Sequence, residues 1–479
     1  MGITNFHTWF KQKFPNAFYQ LVGNNVYDNI YIDINFLLHN AIYESKNYPD
    51  FMKKFFNQLN IIFSNFIAKE RIIFAIDGPS PYAKVLLQRK RRQSSNKKDI
   101  VDLMHPLSLT PGTELMYKIE ESLHVYSQKL LKKYKFIKPI IEIISFEDPD
   151  EGEIKICKKV LEYGKDHLNK KHLIVGNDAD IVVLSMAMTP IYNINILIRI
   201  NGMNELISIK KLIDATNIAF NNANHDNIYN SKIRADFVIM MLMMGNDYLP
   251  KIGFINFDKL YDTYVQFRKV YDTFLFDDDK FNVEALKDFL FMLFTNVKKH
   301  KRMDIKSYDY KSCENYFNGL LWCYNIYNTG QCLQYDFAYD SKYSPSLNEL
   351  IFYLHSADYL NKTPMSNALP IPIDVYSLIV LPKSAKKLIP VKFHTLMENQ
   401  LKYLFNDDQC LECNQIHADM SKYYKQLYQL QKKELDTEEC RKNISVNMKK
   451  LKDHKGAHQV GRGFEISDIK NIIALSKKC

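Results

Sequence analysis

The order of apolar and polar positions predicts an α/β fold over residues 1–255. Short apolar runs alternate there with segments whose apolar residues recur at helical spacing. The short runs predict strands at residues 30–34, 71–76, 139–146, 172–176 and 193–200. Helical spacing predicts helices at residues 52–68 and 114–134, and DFVIMMLMM at residues 236–244 predicts a buried helix. Because strands that alternate with helices are typical of parallel sheets, we expect a mostly parallel central sheet flanked by helices.

The pattern changes along the chain and suggests three regions. Residues 256–405 are mainly helical in pattern, and residues 406–479 form a charged, partly helical segment of unknown role. Within the first region, residues 94–108 and the Asn-rich residues 217–230 predict surface loops, because Asn side chains compete with the backbone for hydrogen bonds. The boundaries at 255 and 405 are the expected domain limits.

Composition indicates a globular protein without a membrane span. Hydrophobic residues make up 46% of the 479 residues and charged residues 25%. No run reaches the ~20 apolar residues that cross a bilayer. The MGITNFHTWFKQKF start lacks a secretory pattern, and Phe6 argues against a myristoylation signal. We therefore expect an intracellular protein with reduced thiols at its eight cysteines. The net charge of +10 favours polyanionic partners.

Acidic residues follow several of the predicted strands. Asp33 lies in IYIDIN near the end of a predicted strand, Asp77 follows IIFAI, and Asp178 and Asp180 lie in HLIVGNDAD. DEGEIK adds Glu151 and Glu153, and GNDYLP adds Asp247 after the buried helix. A single such acid is more often a helix cap or turn residue. Seven acids in five motifs instead favour a metal site, because ligands bind beyond the carboxyl ends of parallel strands and carboxylates suit Mg²⁺ or Mn²⁺.

A basic segment follows Asp77. In GPSPYAKVLLQRKRRQ, helical spacing places Lys84, Gln88 and Arg91 on one face with Arg92 beside them, while Arg89 and Lys90 point elsewhere. Such a face predicts a pocket for a terminal phosphate. A solvated basic helix and a nuclear-import signal in RKRRQSSNKK are the alternatives.

These motifs together resemble the 5′→3′ exoribonuclease family over about residues 1–405. The matching segments are MGITNFHTWF, IDINFLLH, AIDGPSPYAKVLLQRKRR, LTPGTELM, DEGEIKI, GNDADIVVLSM, DFVIMMLMMGNDYLPKI, NGLLWCYNIYNTGQC and LPKSAKKLIP. The resemblance implies a catalytic core similar to flap endonucleases (a PIN-like core) at residues 1–255. It also implies that residues 256–405 close the site into a pocket.

The resemblance also assigns roles to individual residues. It implies that the metal ligands are Asp33, Asp77, Glu151, Glu153, Asp178, Asp180 and Asp247. It places the 5′-phosphate pocket at Lys84, Gln88, Arg91 and Arg92, and a base-stacking pair at His39 and Trp322. The ordinary alternatives for the stacking pair are a capping histidine and a core tryptophan.

The chain departs from the family at a few points. Pro79 follows Asp77-Gly78, and Phe36 stands where the family carries a small residue. We also expect this chain to lack the long C-terminal extensions of the large cytoplasmic members. Cys410 and Cys413, with His417, resemble half of a zinc site, but a second pair at the usual spacing is absent and zinc is left out of the predicted sites.

The sequence thus predicts a monomeric exoribonuclease that degrades single-stranded RNA from a 5′-monophosphate. Two Mg²⁺ ions, for which Mn²⁺ can substitute, would serve the hydrolysis. Decapping factors are candidate partners, and the cytoplasm is the expected location, with the nucleus as alternative. One competing function is a structure-specific 5′ flap DNA nuclease, against which the missing paired glycines after GNDYLP argue. The other is an inactive RNA-binding scaffold.

Overall fold

The chain folds around a seven-stranded sheet with helices on both faces, and this α/β architecture confirms the predicted fold class. The structure is a computed structural model. It describes residues 6–20, 25–95, 104–135, 138–178, 180–200, 203–220, 227–277, 280–297, 309–339, 341, 343–356, 366–405, 411–432, 438–457 and 464–478. The strands are β1 (Phe18–Tyr19), β2 (Asn25–Asp33), β3 (Phe66–Ala75), β4 (Ile140–Ile144), β5 (His172–Val175), β6 (Ile194–Ile200), β7 (Met203–Ser208), β8 (Phe276–Asp277) and β9 (Lys280–Phe281).

The helices of the first half alternate with the strands of the large sheet. They are α1 (Phe6–Lys13), α2 (Ile34–Tyr43), α3 (Tyr48–Asn65), α4 (Tyr82–Ser95), α5 (Glu114–Leu131), α6 (Gly152–Gly164), α7 (Asp180–Ala187), α8 (Ile209–Ala219) and α9 (Asn227–Met243). Those that follow are α10 (Phe257–Val270), α11 (Val283–Val297), α12 (Tyr310–Thr329), α13 (Leu347–Ser356), α14 (Ile373–Val380), α15 (His394–Glu398), α16 (Lys402–Phe405), α17 (Leu411–Lys432), α18 (Glu438–Ala457) and α19 (Ile466–Ser476).

The strand order in the large sheet is β1-β7-β6-β5-β2-β3-β4. Strands β4, β3, β2, β5 and β6 run parallel, while β7 and β1 add an antiparallel edge. The chain runs from β2 to β3 and β4 on one side, and β5 lies on the other side of β2. The switch in direction therefore falls between β2 and β5, where α/β folds form their ligand sites.

The predicted elements differ from the observed ones mainly at their ends. The helix predicted to reach residue 68 ends at Asn65, because residues 66–68 already belong to β3. The helix predicted at 114–134 ends at Leu131, and the buried helix begins at Asn227 rather than at residue 236. Strand β7 has no counterpart in the prediction, since Asn204 and Glu205 interrupt its apolar pattern.

Helices after residue 256 pack against the sheet region. Helix α12 contacts α6, α7 and α9, and one apolar cluster extends from Phe6 through Trp322 to Ile472. A second cluster fills the opposite face of the sheet beneath α2, α3 and α5. Among the helices that the structure describes, none is long and apolar enough to cross a membrane. The domain limits at 255 and 405 stay predictions.

Candidate active site

Three predicted acids follow three neighbouring parallel strands. Asp33 is the last residue of β2 and pairs with Ala75, two residues before Asp77. Ile32 pairs on its other side with Val175, three residues before Asp178. Because parallel strands end at the same edge, the sheet brings all three acids to the switch point.

Asn35 and Gly152 hold two of these carboxylates in place. The Asn35 backbone N–H donates to Asp33 Oδ1 at 3.0 Å, and Asn35 Oδ1 accepts from the Asp77 N–H at 2.9 Å. The Gly152 N–H donates to Asp77 Oδ1 at 2.7 Å. A Cβ at residue 152 would lie only 3.2 Å from Oδ1 of both Asp33 and Asp77. Glycine at residue 152 therefore lets the start of α6, with Glu151 and Glu153, approach the sheet edge without crowding these two carboxylates.

The predicted acids form one electrostatic cluster. Burial raises the pKa of Asp33 well above its usual range, and the charges of Asp77, Asp178 and Glu151 raise it further. Burial likewise raises the pKa of Glu153 well above its usual range, with Asp178, Glu151 and Asp180 adding to the shift. The carboxylates repel one another, so the site favours a cation that neutralises them.

Helix α12 reaches the acid cluster from the second region. The Tyr327 hydroxyl donates to Asp180 Oδ2 at 3.4 Å, and Asp180 is almost fully buried at the start of α7. The Asp180 N–H donates to Asp178 Oδ1 at 3.3 Å. Asp180 thus contacts a residue from beyond position 256, and the closing of the pocket by that region stays a prediction.

Lys84 links the basic helix α4 to the acids. Its Nζ lies 2.9 Å from Glu151 Oε2 and 2.7 Å from Asp247 Oδ2, and Arg91 Nη2 lies 2.9 Å from Asp247 Oδ1. Burial alone would lower the pKa of Lys84, but Glu151 and Asp247 raise it well above its usual range. Burial opposes ionisation of Asp247, yet Lys84 and Arg91 outweigh it and lower its pKa. The predicted phosphate ligands therefore face the predicted metal ligands.

Gln88 and Arg92 complete the functional face of α4. The Arg92 guanidinium donates to Gln88 Oε1 at 2.9 Å, and Asp77 and Glu151 are among the charges that act on Arg92. The Tyr376 hydroxyl, from α14, also donates to Gln88 Oε1. The structure thus brings the four predicted phosphate ligands to one side of the acidic pocket.

His39 lies near the site with its ring exposed to solvent. It follows Asp33 along α2 and stacks on Tyr43 with ring centroids 6.4 Å apart. Asp77 and Arg92 both act on His39 electrostatically, so its ring is close to the acids and the basic helix. This position suits a base-stacking residue at the mouth of the pocket, and that role stays a prediction.

Trp322 is buried in this structure, and its base-stacking role stays a prediction. The indole is 2% exposed, its Nε1 donates to the Gln334 carbonyl at 3.1 Å, and the rings of Tyr248 and Phe337 lie against it. No face of the indole is open to a base in this structure. Trp322 instead supports Tyr248, whose hydroxyl donates to Glu151 Oε2 at 3.3 Å.

Several residues of the site were not predicted from the sequence. Tyr248 directly follows Asp247 in GNDYLP, and Asn35 lies two residues after Asp33 in IDIN, so their positions close to acids were a usable signal. Tyr327 and Tyr376 reach the site only through tertiary packing. No local pattern marks either residue.

The donor set suits a divalent cation in its chemistry. Carboxylate oxygens are the ligands that hard cations prefer. Neighbouring carboxylates repel the charges of Asp33 and Glu153, and a bound cation would relieve that repulsion. Within the described residues, no group of three or more acidic, histidine or cysteine side chains stands in ready ligand geometry. The Lys84 ammonium lies between Glu151 and Asp247 instead.

Of the suggested zinc half-site, Cys410 and the side chains of Cys413 and His417 lie outside what the structure describes.

The fold and the site together define a class of protein. It is an α/β protein with a cluster of acids at the switch point of a mostly parallel sheet, flanked by a cationic helix. Residues 1–108 and 100–199 match the family model described as XRN 5′-3′ exonuclease N-terminus. Residues 1–199 are therefore similar to the N-terminal part of the 5′-3′ exoribonuclease family.

Individual 5′-3′ exoribonucleases are also similar in sequence to this chain. The chain is 25% identical over 311 residues to 5′-3′ exoribonuclease 1 of Saccharomyces cerevisiae, which covers 54% of this chain and 20% of the relative. It is 24% identical over 380 residues to the human 5′-3′ exoribonuclease 1, covering 66% of this chain and 22% of the relative. The chain thus spans about a fifth of the length of these two relatives. A 5′-3′ exoribonuclease 2 homolog of Drosophila melanogaster is 25% identical over 246 residues, or 39% of this chain and 27% of the relative.

Solved structures give a weaker likeness. The catalytic core of Rad2 in complex with DNA substrate (complex III) matches at 13% identity and a TM-score of 0.35, covering 74% of this chain and 94% of that chain. Complex IV of the same core matches at 11% identity and a TM-score of 0.33, covering 82% and 93%. These scores are too low to support any conclusion about function.

Proposed function

We propose that the chain is a 5′→3′ exoribonuclease that hydrolyses single-stranded RNA from a 5′-monophosphate and releases 5′-mononucleotides. The observation that carries the proposal is the double ion pair of Lys84 with Glu151 and Asp247. This contact joins the cationic helix to the acids, so a terminal phosphate held by α4 would present its first phosphodiester to the acid cluster. The match of residues 1–199 to the family model and the names of the similar proteins support the same proposal.

The cationic face would select the end of the substrate. Arg91 is about a third exposed and already paired with Asp247, which holds its guanidinium at the pocket. With Lys84, Gln88 and Arg92 it offers donors in a fixed arrangement that matches a phosphate. A 5′-hydroxyl end offers these cations no phosphate to bind, and a capped or triphosphorylated end adds bulk and charge. We therefore expect only the 5′-monophosphate to be accepted well.

The acids would hold two divalent ions, Mg²⁺ or its substitute Mn²⁺. Asp178, Asp180 and Asp247 would help hold one ion, and the second group, Asp33, Asp77, Glu151 and Glu153, would hold the other or its waters. When bound, such ions activate a water and neutralise the charge that develops on the leaving oxygen. The chain's own residues orient the acids, through Asn35 at the sheet edge and Tyr327 on Asp180.

The test compares RNA carrying a 5′-monophosphate, 5′-hydroxyl or 5′-triphosphate with flap DNA, each with Mg²⁺. The proposal predicts that the 5′-monophosphorylated RNA is degraded fastest and only to mononucleotides. Faster cutting of flap DNA would favour the DNA nuclease instead.

A pair of acid variants separates the enzyme from an inactive scaffold. Asp178→Ala with Asp180→Ala should abolish hydrolysis and leave RNA binding measurable. Asp148→Asn is the matched control, because Asp148 is an exposed acid in the loop before Glu151. Normal hydrolysis by the double variant would show that these acids do not hold the metal, and absence of hydrolysis in the unmodified chain would favour the scaffold.

The remaining parts of the proposal concern the cellular setting. Decapping reactions create the 5′-monophosphate that this pocket would accept, which makes decapping factors the candidate partners. The cytoplasm is the proposed location and a monomer the proposed state.

A further inference from the structure

Arg89 lies on the phosphate-binding helix α4 but faces away from the acids. Its side chain is among the largest that are fully buried, at 1% exposure. One guanidinium nitrogen donates to the Ile379 carbonyl at the end of α14, and another donates to the Leu404 carbonyl at 2.6 Å. Arg89 therefore ties α4 to two later segments of the chain.

Two aromatic rings cover the same guanidinium, one next to Leu404 and one from a further segment. It lies 5.1 Å from the ring centroid of Phe405 and 4.4 Å from that of Phe464. A guanidinium that is removed from water and placed on aromatic rings is stabilised by cation–π attraction. Phe464 comes directly before the C-terminal helix α19, so the end of the chain contributes to the burial of Arg89.

Helix α19 is docked into the main core. Ile469 and Ile472 are fully buried in the cluster that also contains residues of α4 and α14, and α19 packs against both helices. Asp468 is 1% exposed, accepts from the Tyr403 hydroxyl at 3.2 Å and closes a capping box with Glu465. These contacts fix α19, and with it Phe464, against the back of α4.

Helix α14 connects this back side to the phosphate-binding side. It accepts the Arg89 hydrogen bond at Ile379, and its Tyr376 contacts both Gln88 and Ser80 on the functional side. We propose that Arg89, held by Phe464 and the docked helix α19, is a positioning residue that sets the orientation of α4 and thereby recognition of the 5′-phosphate. This inference rests on the proposed function.

The test uses Arg89→Lys and Phe464→Ala in the full chain, with Lys90→Met as the matched control. Lysine keeps the charge but cannot donate to two carbonyls while lying flat on two rings. Lys90 is the next residue of the same basic run and is exposed. We expect Arg89→Lys to raise KM for 5′-monophosphorylated RNA about tenfold, or about 1.4 kcal/mol, with kcat nearly unchanged and a smaller preference over 5′-hydroxyl RNA. Phe464→Ala should act in the same direction, and Lys90→Met should change neither value.

Hydrogen–deuterium exchange of residues 82–95 gives a readout that does not depend on catalysis. Exchange in α4 should rise in the Arg89→Lys and Phe464→Ala variants and stay unchanged in Lys90→Met. Unchanged exchange, or an equal loss of kcat on both RNA ends with KM preserved, would overturn the positioning role. If the unmodified chain shows no preference for 5′-monophosphorylated RNA, the proposed function fails. In that case hydrogen–deuterium exchange of α4 alone decides whether α19 and Arg89 hold this helix.

Discussion

Replacing Lys84 by Met removes the ammonium group from between two buried carboxylates and keeps an unbranched side chain in its place. The side chains of Lys84, Glu151 and Asp247 are 10%, 10% and 8% exposed. Removing one partner of a buried ion pair costs ~3–5 kcal/mol, because the remaining charge is left without compensation. Arg91 still neutralises Asp247 at 2.9 Å. We therefore expect a loss of about 3 kcal/mol, at the low end of that range.

The assay is chemical unfolding of the Lys84→Met variant in EDTA and then with increasing Mn²⁺. The pKa of Lys84 is raised in the folded chain. Its contribution to the free energy of unfolding is therefore complete below its unfolded pKa of about 10.4, and it is lost only above the folded pKa. The difference in unfolding free energy between the unmodified chain and the variant should thus be constant between about pH 7 and pH 9. Added Mn²⁺ should restore part of the loss, since the freed Glu151 can then take a divalent cation.

Lys118→Met is the control for this experiment. Lys118 pairs with Glu114 on the surface, with side chains 45% and 62% exposed. Removing such a pair costs ~1 kcal/mol or less. If Lys84→Met in EDTA is no more destabilising than Lys118→Met, the ammonium group does not compensate the acid cluster and the electrostatic reasoning is refuted.

Three further predictions test other parts of the site and the core. Gly152→Ala places a Cβ 3.2 Å from Oδ1 of both Asp33 and Asp77. RNA hydrolysis should therefore fall about 100-fold with an unchanged Tm. Undiminished hydrolysis would contradict the close approach of residue 152 to these carboxylates. Burial lowers the pKa of His172 to about 4, so the folded chain should lose stability as the pH falls from 6.5 towards 4, by about 3 kcal/mol, in unfolding measurements. His172→Gln should flatten that dependence, and an equally steep fall in the variant would assign it to other groups. Trp322→Phe should lower the unfolding free energy by about 1–3 kcal/mol and leave RNA affinity unchanged, whereas weaker RNA binding at full stability would support base stacking.

The sheet edge could be predicted from the sequence because its signals are local. Asp33 and Asp77 each end a run of apolar residues, and an apolar run followed by an acid is visible without knowing any partner strand. Parallel pairing then brings the acids together, as the register of Asp33 with Ala75 shows. The same local reasoning identified Lys84, because its helical spacing with Arg91 needs no tertiary information.

The remaining features depend on contacts between distant segments. Tyr376 reaches Gln88 across 288 residues of chain, and no pattern around either residue announces that contact. Helical periodicity places Trp322 on an apolar face, but it cannot tell whether that face meets a base or the core. Phe464 shows the same limit, because the charged segment that precedes it gives no sign that the chain end returns to cover Arg89.

The most direct test of the central claim is a crystal structure of the chain with Mn²⁺, in which anomalous scattering locates the ions. We expect anomalous peaks coordinated by carboxylate oxygens of Asp178 and Asp180, and of Asp33 or Asp77, beside the predicted phosphate-binding face of α4. Mn²⁺ bound elsewhere, with the carboxylates at the sheet edge uncoordinated at saturating metal, would contradict it.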